Sequence, residues 1–178
     1  MNDYVIKAGE MESQECEAMY RILTECDQDF CPPLSARSSS QQLSWDAKEE
    51  NQDGVRDYYE VLLKQENLFW KEDGEIAGFM SFVPYYTCEH LKDYEEVCYL
   101  TTLCVSPKFR GRGLSPKIYA AVFDYIYRTY PNSTIAFRTW STNGAQMYLV
   151  KKLGLTEILR LPDDRGPGVD TIYYVLER

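Results

Sequence analysis

The sequence predicts a single α/β domain in which strands alternate with helices. The chain has 178 residues, which is the size of one ordinary domain, and no repeat or linker divides it. Apolar residues make up 44% and charged residues 26% of the chain, a composition typical of soluble globular proteins. Stretches with helical spacing of apolar residues alternate with shorter stretches of strand character. We therefore assign residues 1–178 to one domain.

The first half of the chain predicts a strand, two helices and a hairpin. Residues 3–8 alternate weakly, as a strand does, and apolar residues at helical spacing predict helices over 12–28 and 55–65. Pro32 and Pro33 must end the first of these helices, because proline lacks the N–H that a helix interior needs.

Two connections in this half carry signals of their own. Residues 35–51 are polar, and a loop of this length is usually functional or disordered in a compact domain. Residues 71–75, Lys-Glu-Asp-Gly-Glu, separate two apolar segments and place Gly74 in a turn. This pattern predicts a hairpin between 68–70 and 76–83.

The second half predicts two further helices among four strands. An apolar, β-branched run that stops before Pro107 suits a central buried strand. Gly111 and Gly113 open a long helix, and Gly154 stands where a shorter helix should end. The predicted strands are 97–105, 135–140, 155–161 and 170–177, and the shorter helix is 143–153.

Charge is divided unevenly along the chain. Residues 1–100 contain 22 acidic and 8 basic side chains, whereas residues 101–178 contain 6 acidic and 11 basic ones. Nucleic-acid binding needs a basic face for the phosphates, so the acidic half argues against a nucleic acid as partner. The basic half suits a compact anion.

The composition also argues against a membrane protein, a secreted protein and a metal site. No apolar run of about 18 residues could span a membrane, and the first residues lack the basic and apolar regions of a secretory leader. The six cysteines show no C-x-x-C spacing and His90 is the only histidine, so we expect no metal site and reduced thiols in a cytoplasmic protein. The sequence does not set the oligomeric state, and a homodimer stays open.

The segment 103–115, LCVSPKFRGRGLS, carries the most specific chemical signal. A strand ends, a turn with Gly111 and Gly113 follows, and a helix begins with Ser115 at the N-cap and Pro116 at the first helical position. The first turn of a helix leaves backbone N–H groups free, and glycine lets a ligand approach the backbone closely.

Two arginines, Arg110 and Arg112, add positive charge to this turn. Free N–H groups and positive charge at a helix N-terminus predict a site for a phosphate or pyrophosphate. The segment matches neither the P-loop pattern nor G-x-G-x-x-G. On the residues alone, a plain strand–turn–helix junction and a site for a different phosphate ligand both stay open.

The pattern V-x-P-x-x-R-G-x-G-L-S over 105–115 resembles the acetyl-CoA loop of the GNAT superfamily of N-acetyltransferases. The family pattern is Q/R-x-x-G-x-G/A, and Arg110, Gly113 and Ser115 hold its three fixed places, with serine replacing the usual small residue. The order of predicted elements is also similar to that fold. Asn143 and residues 151–155 resemble a second family segment, N-x-x-A-x-x-x-Y-x-x-x-G-F.

The resemblance implies a mixed, largely antiparallel sheet that is splayed between its fourth and fifth strands, flanked by helices. It also implies acetyl-CoA as cosubstrate, with the pantetheine paired to strand backbone and facing Asn143, and the pyrophosphate on N–H groups of the loop. The implied cofactor-binding residues are Leu103, Cys104, Val105, Arg110, Gly111, Arg112, Gly113, Leu114, Ser115 and Asn143.

The catalytic positions depart from the family pattern. Many members place a tyrosine acid four residues before the G-F pair, where this chain has Val150, and Tyr148 lies two residues earlier. Some members place a glutamate base where this chain has Tyr99. Tyr148 and Tyr99 are therefore the candidate catalytic residues, and a surface or core aromatic stays the alternative for Tyr148.

Acids and aromatics border the place where this family holds its acceptor. They suit a cationic amine, although an acidic surface kept for solubility explains them equally well. The predicted function is transfer of an acetyl group from acetyl-CoA to a primary amine of a small cationic molecule or peptide. The alternative is a non-catalytic acyl-CoA-binding domain. The candidate substrate-binding residues are Asp29, Phe30, Tyr85, Tyr86, Glu89 and His90.

Overall fold

The structure is a computed structural model that describes residues 2–37 and 54–177. Of the predicted loop 35–51, residues 38–51 lie outside the described residues. The described strands are β1 (Asp3–Ile6), β2 (Glu66–Glu72), β3 (Glu75–Val83), β4 (Cys98–Val105), β5 (Ile135–Trp140), β6 (Thr156–Leu161) and β7 (Thr171–Leu176). The described helices are α1 (Ser13–Cys26), α2 (Arg56–Leu62), α3 (Leu114–Thr129) and α4 (Gly144–Lys152), with short 3₁₀ turns between elements.

The described strands form one sheet in the order β1-β2-β3-β4-β5-β7-β6. β4 and β5 run parallel, whereas β1 with β2, β2 with β3, β5 with β7 and β6 with β7 run antiparallel. The mixed, largely antiparallel sheet that the resemblance implied is therefore confirmed. The ladder between β4 and β5 covers three pairs, from Cys98 with Ile135 to Leu100 with Phe137, as a splay between these strands predicts.

The chain groups into two compact units. One unit contains Met1–Phe82 and Thr102–Val122, and the other contains Val83–Thr101 and Phe123–Arg178. β4 and α3 contribute residues to both units. The assignment of the whole chain to one domain stays a prediction.

The first unit is built on an apolar cluster beneath two helices. Tyr58 and Leu62 of α2 are buried beside the inner face of α1, which confirms the apolar face predicted for the 55–65 segment. The buried Tyr58 hydroxyl lies 2.5 Å from Thr102 Oγ1, so its polar tip is satisfied inside the core. The α1 and strand residues of this cluster are Met19, Ile22, Leu23, Cys26, Phe69, Ile76, Phe79 and Cys104.

The predicted hairpin is confirmed. Glu72 pairs with Glu75, so the loop between β2 and β3 has only two residues, Asp73 and Gly74. Both have positive φ, 53° and 81°, which is the geometry of the two-residue turns whose twist matches that of the flanking strands.

α1 ends before Pro32 and Pro33, the residues at which the sequence required it to end. It stops at Cys26 and passes into a 3₁₀ turn over Asp27–Asp29, well before Pro32. The Asp27 carboxylate accepts hydrogen bonds from the Ser35 N–H at 2.7 Å and the Ser35 hydroxyl at 2.9 Å. The connection after α1 is thus tied down by a side chain that helical periodicity does not reveal.

The second unit buries an apolar cluster of its own, on one face of β4, β5 and β7. Its members include Val97, Tyr99, Ala136, Tyr173 and Val175. Ile135–Trp140 forms a strand as predicted, and it pairs along its whole length with β7. Within residues 2–37 and 54–177, no helix has the length and apolar content to cross a membrane.

Candidate functional site

The loop after β4 is anchored on both sides before it reaches its glycines. The Ser106 N–H donates to the Ala77 carbonyl at 2.9 Å, and the Ser106 hydroxyl donates to Glu25 Oε2 at 2.6 Å. The chain then makes a 3₁₀ turn over Pro107–Phe109, whose phenylalanine is buried. These contacts fix the start of the loop, so the position of the following residues is set by the fold.

The two glycines of the loop adopt the backbone conformation that favours glycine. Gly111 has φ +76° and Gly113 has φ +68°, a region that costs other residues energy. A Cβ atom at either position would meet no described atom within 4 Å. The backbone at these residues therefore faces open space, which is the access that an anion needs.

The start of α3 corrects one prediction. The helix begins at Leu114, so Ser115 and Pro116 lie inside its first turn, and Ser115 is not the N-cap. The left-handed Gly113 precedes the first helical residue and brings the chain into the helix. Pro116 is tolerated because N–H groups in the first turn have no helical acceptor. The N–H groups of Leu114 and Ser115 keep that property, so the predicted anion site at this helix start does not depend on Ser115 being the N-cap.

Each of three cations in this loop faces a carboxylate within the first unit. Lys108 Nζ lies 2.8 Å from both carboxylate oxygens of Glu75, and Arg112 Nη1 lies 2.7 Å from Asp73 Oδ2. Arg110 Nη2 pairs with Asp29 Oδ2. The charge of the loop is thus locally balanced.

Arg110 also ties the loop to the end of α1. Its Nε donates to the Val105 carbonyl at 3.1 Å, and its Nη2 lies 3.3 Å from Cys26 Sγ. The hydrogen bond from the Cys104 thiol lowers the pKa of Cys26 against the effect of burial, and Arg110 lowers it further. Burial raises the pKa of Cys104. Because Arg110 donates to it, the Val105 carbonyl is already hydrogen-bonded. Of the three strand residues predicted to pair with pantetheine, Leu103 and Val105 are half-buried and Cys104 is buried.

Asn143 caps α4 in the second unit. Its Oδ1 accepts from the Gln146 N–H at 3.2 Å, and its Nδ2 donates to Thr139 Oγ1 at 3.3 Å. At the other end, Gly154 has φ +79°, and the Leu155 N–H donates to the Val150 carbonyl at 3.1 Å. Asparagine and glycine at these places explain why the sequence predicts α4 within one residue at each end.

The two tyrosines considered for catalysis have opposite environments. Val150, at the family's tyrosine position, is fully buried, whereas Tyr148 is 62% exposed with Lys152 Nζ 4.6 Å from its ring centroid. Tyr99 is buried, and its ring stacks on Tyr86 with centroids 4.3 Å apart. Burial raises the pKa of Tyr99 and of Tyr86 well above the ordinary value.

The candidate acceptor residues fall into two groups, one in each unit. In the first unit, Asp29 pairs with Arg110, and Phe30 lies beneath the Arg37 guanidinium at 5.2 Å. In the second unit, Tyr86 contacts Tyr99 as described, and the His90 ring lies 5.2 Å from that of Tyr173.

The two remaining acceptor candidates, Tyr85 and Glu89, are exposed to solvent. Tyr85 is 63% exposed with φ 54°, and its ring meets Tyr130 edge-on at 5.6 Å. Glu89 forms an exposed ion pair with Lys92 at 2.6 Å.

Tyr86, Tyr99 and Tyr173 form a tyrosine cluster in the second unit. The sequence analysis did not identify Tyr173 or its partner Arg138. Arg138 of β5 donates from Nη1 to the Tyr173 hydroxyl at 3.3 Å, and burial raises the pKa of Tyr173. The available signal was a basic residue in the mostly apolar strand Ile135–Trp140, because cations in central strands need a polar partner. Among the described residues, no three His, Cys, Asp or Glu side chains group as a metal site would require.

Comparison with known proteins gives one family and one fold. A family model described as the acetyltransferase (GNAT) family matches residues 17–154. Over 99% of both chains the structure is similar to an N-acetyltransferase from Staphylococcus aureus Mu50, with a TM-score of 0.66 and 14% identity. No curated protein sequence matches the chain.

Two further solved structures share the fold. A ribosomal-protein-alanine N-acetyltransferase from Brucella melitensis has a TM-score of 0.65 and 13% identity, over 98% of this chain and 99% of that one. A candidate acetyltransferase from Salmonella typhimurium, solved with its cofactor acetyl-CoA, has a TM-score of 0.63 and 19% identity, over 99% and 94% of the two chains. At these identities the likeness shows the fold alone.

Proposed function

The chain belongs to the acetyltransferase (GNAT) family, and on that premise we propose that it transfers an acetyl group from acetyl-CoA to a primary amine. The acceptor we propose is a small cationic molecule or a peptide, and the compartment is the cytoplasm. All six cysteines lie among the described residues and none forms a disulfide, which supports a reducing compartment.

The observation that carries the proposal is the conformation of the loop between β4 and α3. Gly111 and Gly113 hold left-handed backbone beside open space, and α3 begins directly after them. Backbone N–H groups at such a helix start suit the pyrophosphate of acetyl-CoA. We propose that Arg110–Leu114 and Ser115 bind the pyrophosphate through backbone, and that Leu103–Val105 and Asn143 bind the pantetheine.

The chemistry requires a neutral amine, a polarised thioester carbonyl and a proton for the leaving thiolate. We propose that Tyr148 supplies this proton, because its phenol is exposed and next to the Lys152 ammonium. Tyr99 is buried against Tyr86, so its proposed role is to shape the acceptor site. Holding amine and thioester together supplies much of the rate even without a base in direct contact.

A cationic acceptor is supported by the acids and aromatics of the candidate acceptor residues. Asp29 and Glu89 supply carboxylate oxygens, and the rings of Phe30, Tyr86 and His90 offer faces and edges to an organic cation. The excess of acidic residues in positions 1–100 attracts cations toward the protein over longer distances.

One specific observation favours a second function, a non-catalytic acyl-CoA-binding domain. Val150 stands fully buried where many family members have their tyrosine acid, and Tyr99 stands buried where some have a glutamate base. A chain that binds the donor without transferring its acetyl group would need neither group.

Acetyl transfer to a pooled panel separates the two functions. Purified protein is incubated with acetyl-CoA and polyamines, aminoglycosides, amino acids or short peptides, and products are read by mass spectrometry. We expect one acceptor class to gain a single acetyl group, with a cationic amine favoured. CoA binding without any acetylated product would contradict catalysis and favour the binding domain.

A further inference from the structure

Two carboxylates of the β2–β3 hairpin face the two outer cations of the loop before α3. Asp73 lies in the turn of the hairpin, and Glu75 is the first residue of β3. Asp73 Oδ2 is 2.7 Å from Arg112 Nη1, and both oxygens of Glu75 are 2.8 Å from Lys108 Nζ. All four residues belong to the first unit.

The two cations share a second contact that fixes their side chains. The Arg112 guanidinium and the Lys108 ammonium each lie 5.2 Å from the ring centroid of Phe109, and Phe109 itself is buried. A cation near an aromatic ring gains attraction from the ring while its charged head stays in water. The cations are therefore held by a rigid ring on one side and by the hairpin carboxylates on the other.

An anion that binds the two cations more strongly can displace Asp73 and Glu75 with little loss of free energy. The side chains of the Arg112–Asp73 pair are 45% and 68% exposed, and those of the Lys108–Glu75 pair are 58% and 55% exposed. Ion pairs with this exposure contribute little to stability, because water screens both charges. A phosphate offers more charge and accepts a two-pronged arginine contact, so it competes well for the same cations.

We propose that Asp73 and Glu75 act as an electrostatic counterweight on nucleotide binding. They hold Arg112 and Lys108 in place before the donor binds, and they yield these cations to the phosphates of acetyl-CoA. This proposal rests on the proposed function, because it assigns a regulating pair to the same donor site. The consequence is a lower affinity for both acetyl-CoA and CoA, because each carboxylate competes with the phosphates for a cation and also repels them.

The counterweight acts alike on donor and product, because acetyl-CoA and CoA carry the same phosphates. Weaker binding of CoA shortens the time that the product occupies the site, and product release limits the turnover of many enzymes. A fragment without the nucleotide, such as acetyl-pantetheine, does not meet the two carboxylates at all. The nucleotide phosphates are thus the part of the ligand on which the effect depends.

The first test measures CoA dissociation constants by calorimetry for Asp73→Asn, Glu75→Gln and the double variant. We expect each single variant to tighten CoA about threefold to tenfold at low salt, because a unit charge near the phosphates is removed. The gain should shrink as salt rises, since exposed charges are screened. Glu17→Gln makes the same charge change on the exposed side of α1 and should leave CoA affinity unchanged.

A second measurement asks whether the effect passes through the named cations. In an Arg112→Gln background, the tightening by Asp73→Asn should largely disappear, as a double-mutant cycle on one interaction requires. Acetyl-pantetheine affinity should be the same in all variants. Thermal unfolding of each variant checks that the hairpin still folds.

The outcomes separate this proposal from the proposed function. Failure of the wild-type protein to bind CoA would overturn the proposed function itself. CoA binding that is unchanged or weakened by Asp73→Asn and Glu75→Gln would overturn the counterweight and leave acetyl-CoA binding intact. Equal tightening by Glu17→Gln would reduce the effect to net charge and also overturn it.

Discussion

A Cβ atom at Gly78 would lie 2.7 Å from the backbone carbonyl oxygen of Cys104. The same atom would lie 3.2 Å from Ile118 Cδ1 and from Val105 Cγ2. β3, β4 and α3 therefore meet at a point where only a hydrogen fits. Because the nearest obstacle is backbone, no side-chain rotation can make room.

We expect Gly78→Ala to lower the free energy of unfolding by about 1–3 kcal/mol, as overpacking in a tight core does. Gly144→Ala is the matched control, because Gly144 is the first residue of α4 and a Cβ there meets nothing within 4 Å. Alanine in a helix should leave the stability unchanged or raise it by up to about 1 kcal/mol. Urea unfolding of both variants checks the prediction, and equal losses would contradict it.

Local signals allowed most of the fold to be predicted, because they depend on few neighbours. Asp73-Gly74 predicts its own turn, since these residue types adopt positive φ readily. Asn143 and Gly154 predict the ends of α4 in the same way. The predicted start of α3 was wrong by two residues, because serine and proline are common at helix starts while the left-handed Gly113 is the feature that begins this helix.

Side-chain partners across the fold could not be predicted from local pattern. The stacking of Tyr86 on Tyr99 and the pairing of Arg112 with Asp73 join positions 13 and 39 residues apart. Such contacts follow from strand order and register, and these are set by the whole sheet. The importance of the loop's glycines and arginines could therefore be predicted from the sequence. The hairpin carboxylates that balance the charge of the loop could not.

Gly113→Glu should abolish CoA binding, because it adds bulk and a negative charge where the pyrophosphate is proposed to bind. Gly113→Ala tests the strain alone, since φ of +68° disfavours any side chain. Gly168→Glu adds the same residue at φ +77° in the β6–β7 loop, again beside open space, and should retain CoA binding. Calorimetric titration with CoA compares the three variants, and retained affinity in Gly113→Glu would show that the loop assignment is wrong.

Asn143 is proposed both to cap α4 and to contact pantetheine, and two substitutions separate these roles. Asn143→Ala removes the cap on the Gln146 N–H, so we expect a loss of about 0.5–2 kcal/mol of stability. Asn143→Asp keeps a capping oxygen and loses the amide donor to Thr139. A higher KM for acetyl-CoA in a stable Asn143→Asp variant supports the pantetheine contact. An unchanged KM would limit Asn143 to capping.

Tyr148→Phe removes the hydroxyl proposed to protonate the leaving thiolate and keeps the ring next to Lys152. We expect kcat to fall by roughly 100-fold or more, the range for loss of a general acid, with the affinity for CoA unchanged. Lys152→Gln removes the neighbouring charge and keeps the hydroxyl, so it should affect kcat less. Steady-state kinetics on the acceptor found in the panel make this comparison. Equal kcat in Tyr148→Phe and wild type would exclude Tyr148 as the acid without affecting the family assignment.

The tyrosine cluster of the second unit predicts a loss of stability in alkali. Burial raises the pKa values of Tyr86, Tyr99 and Tyr173 in the folded protein, whereas the unfolded chain ionises near the ordinary value of about 10. The folded state thus holds more protons than the unfolded state above that pH. The stability from these groups is fully present below pH of about 10 and is lost as pH rises toward the folded pKa values.

Each of these tyrosines should make the free energy of unfolding fall more steeply with pH, by up to about 1.4 kcal/mol per pH unit. Tyr99→Phe removes one titrating hydroxyl and keeps the ring stacked on Tyr86. Above pH of about 10, unfolding of this variant should release about one proton fewer, so its free energy of unfolding should fall less steeply with pH. Urea unfolding between pH 9 and 11, with tyrosinate absorbance followed in parallel, measures the difference. Identical slopes for Tyr99→Phe and wild type would contradict the prediction, because they would mean that Tyr99 ionises as readily in the folded protein as in the unfolded chain.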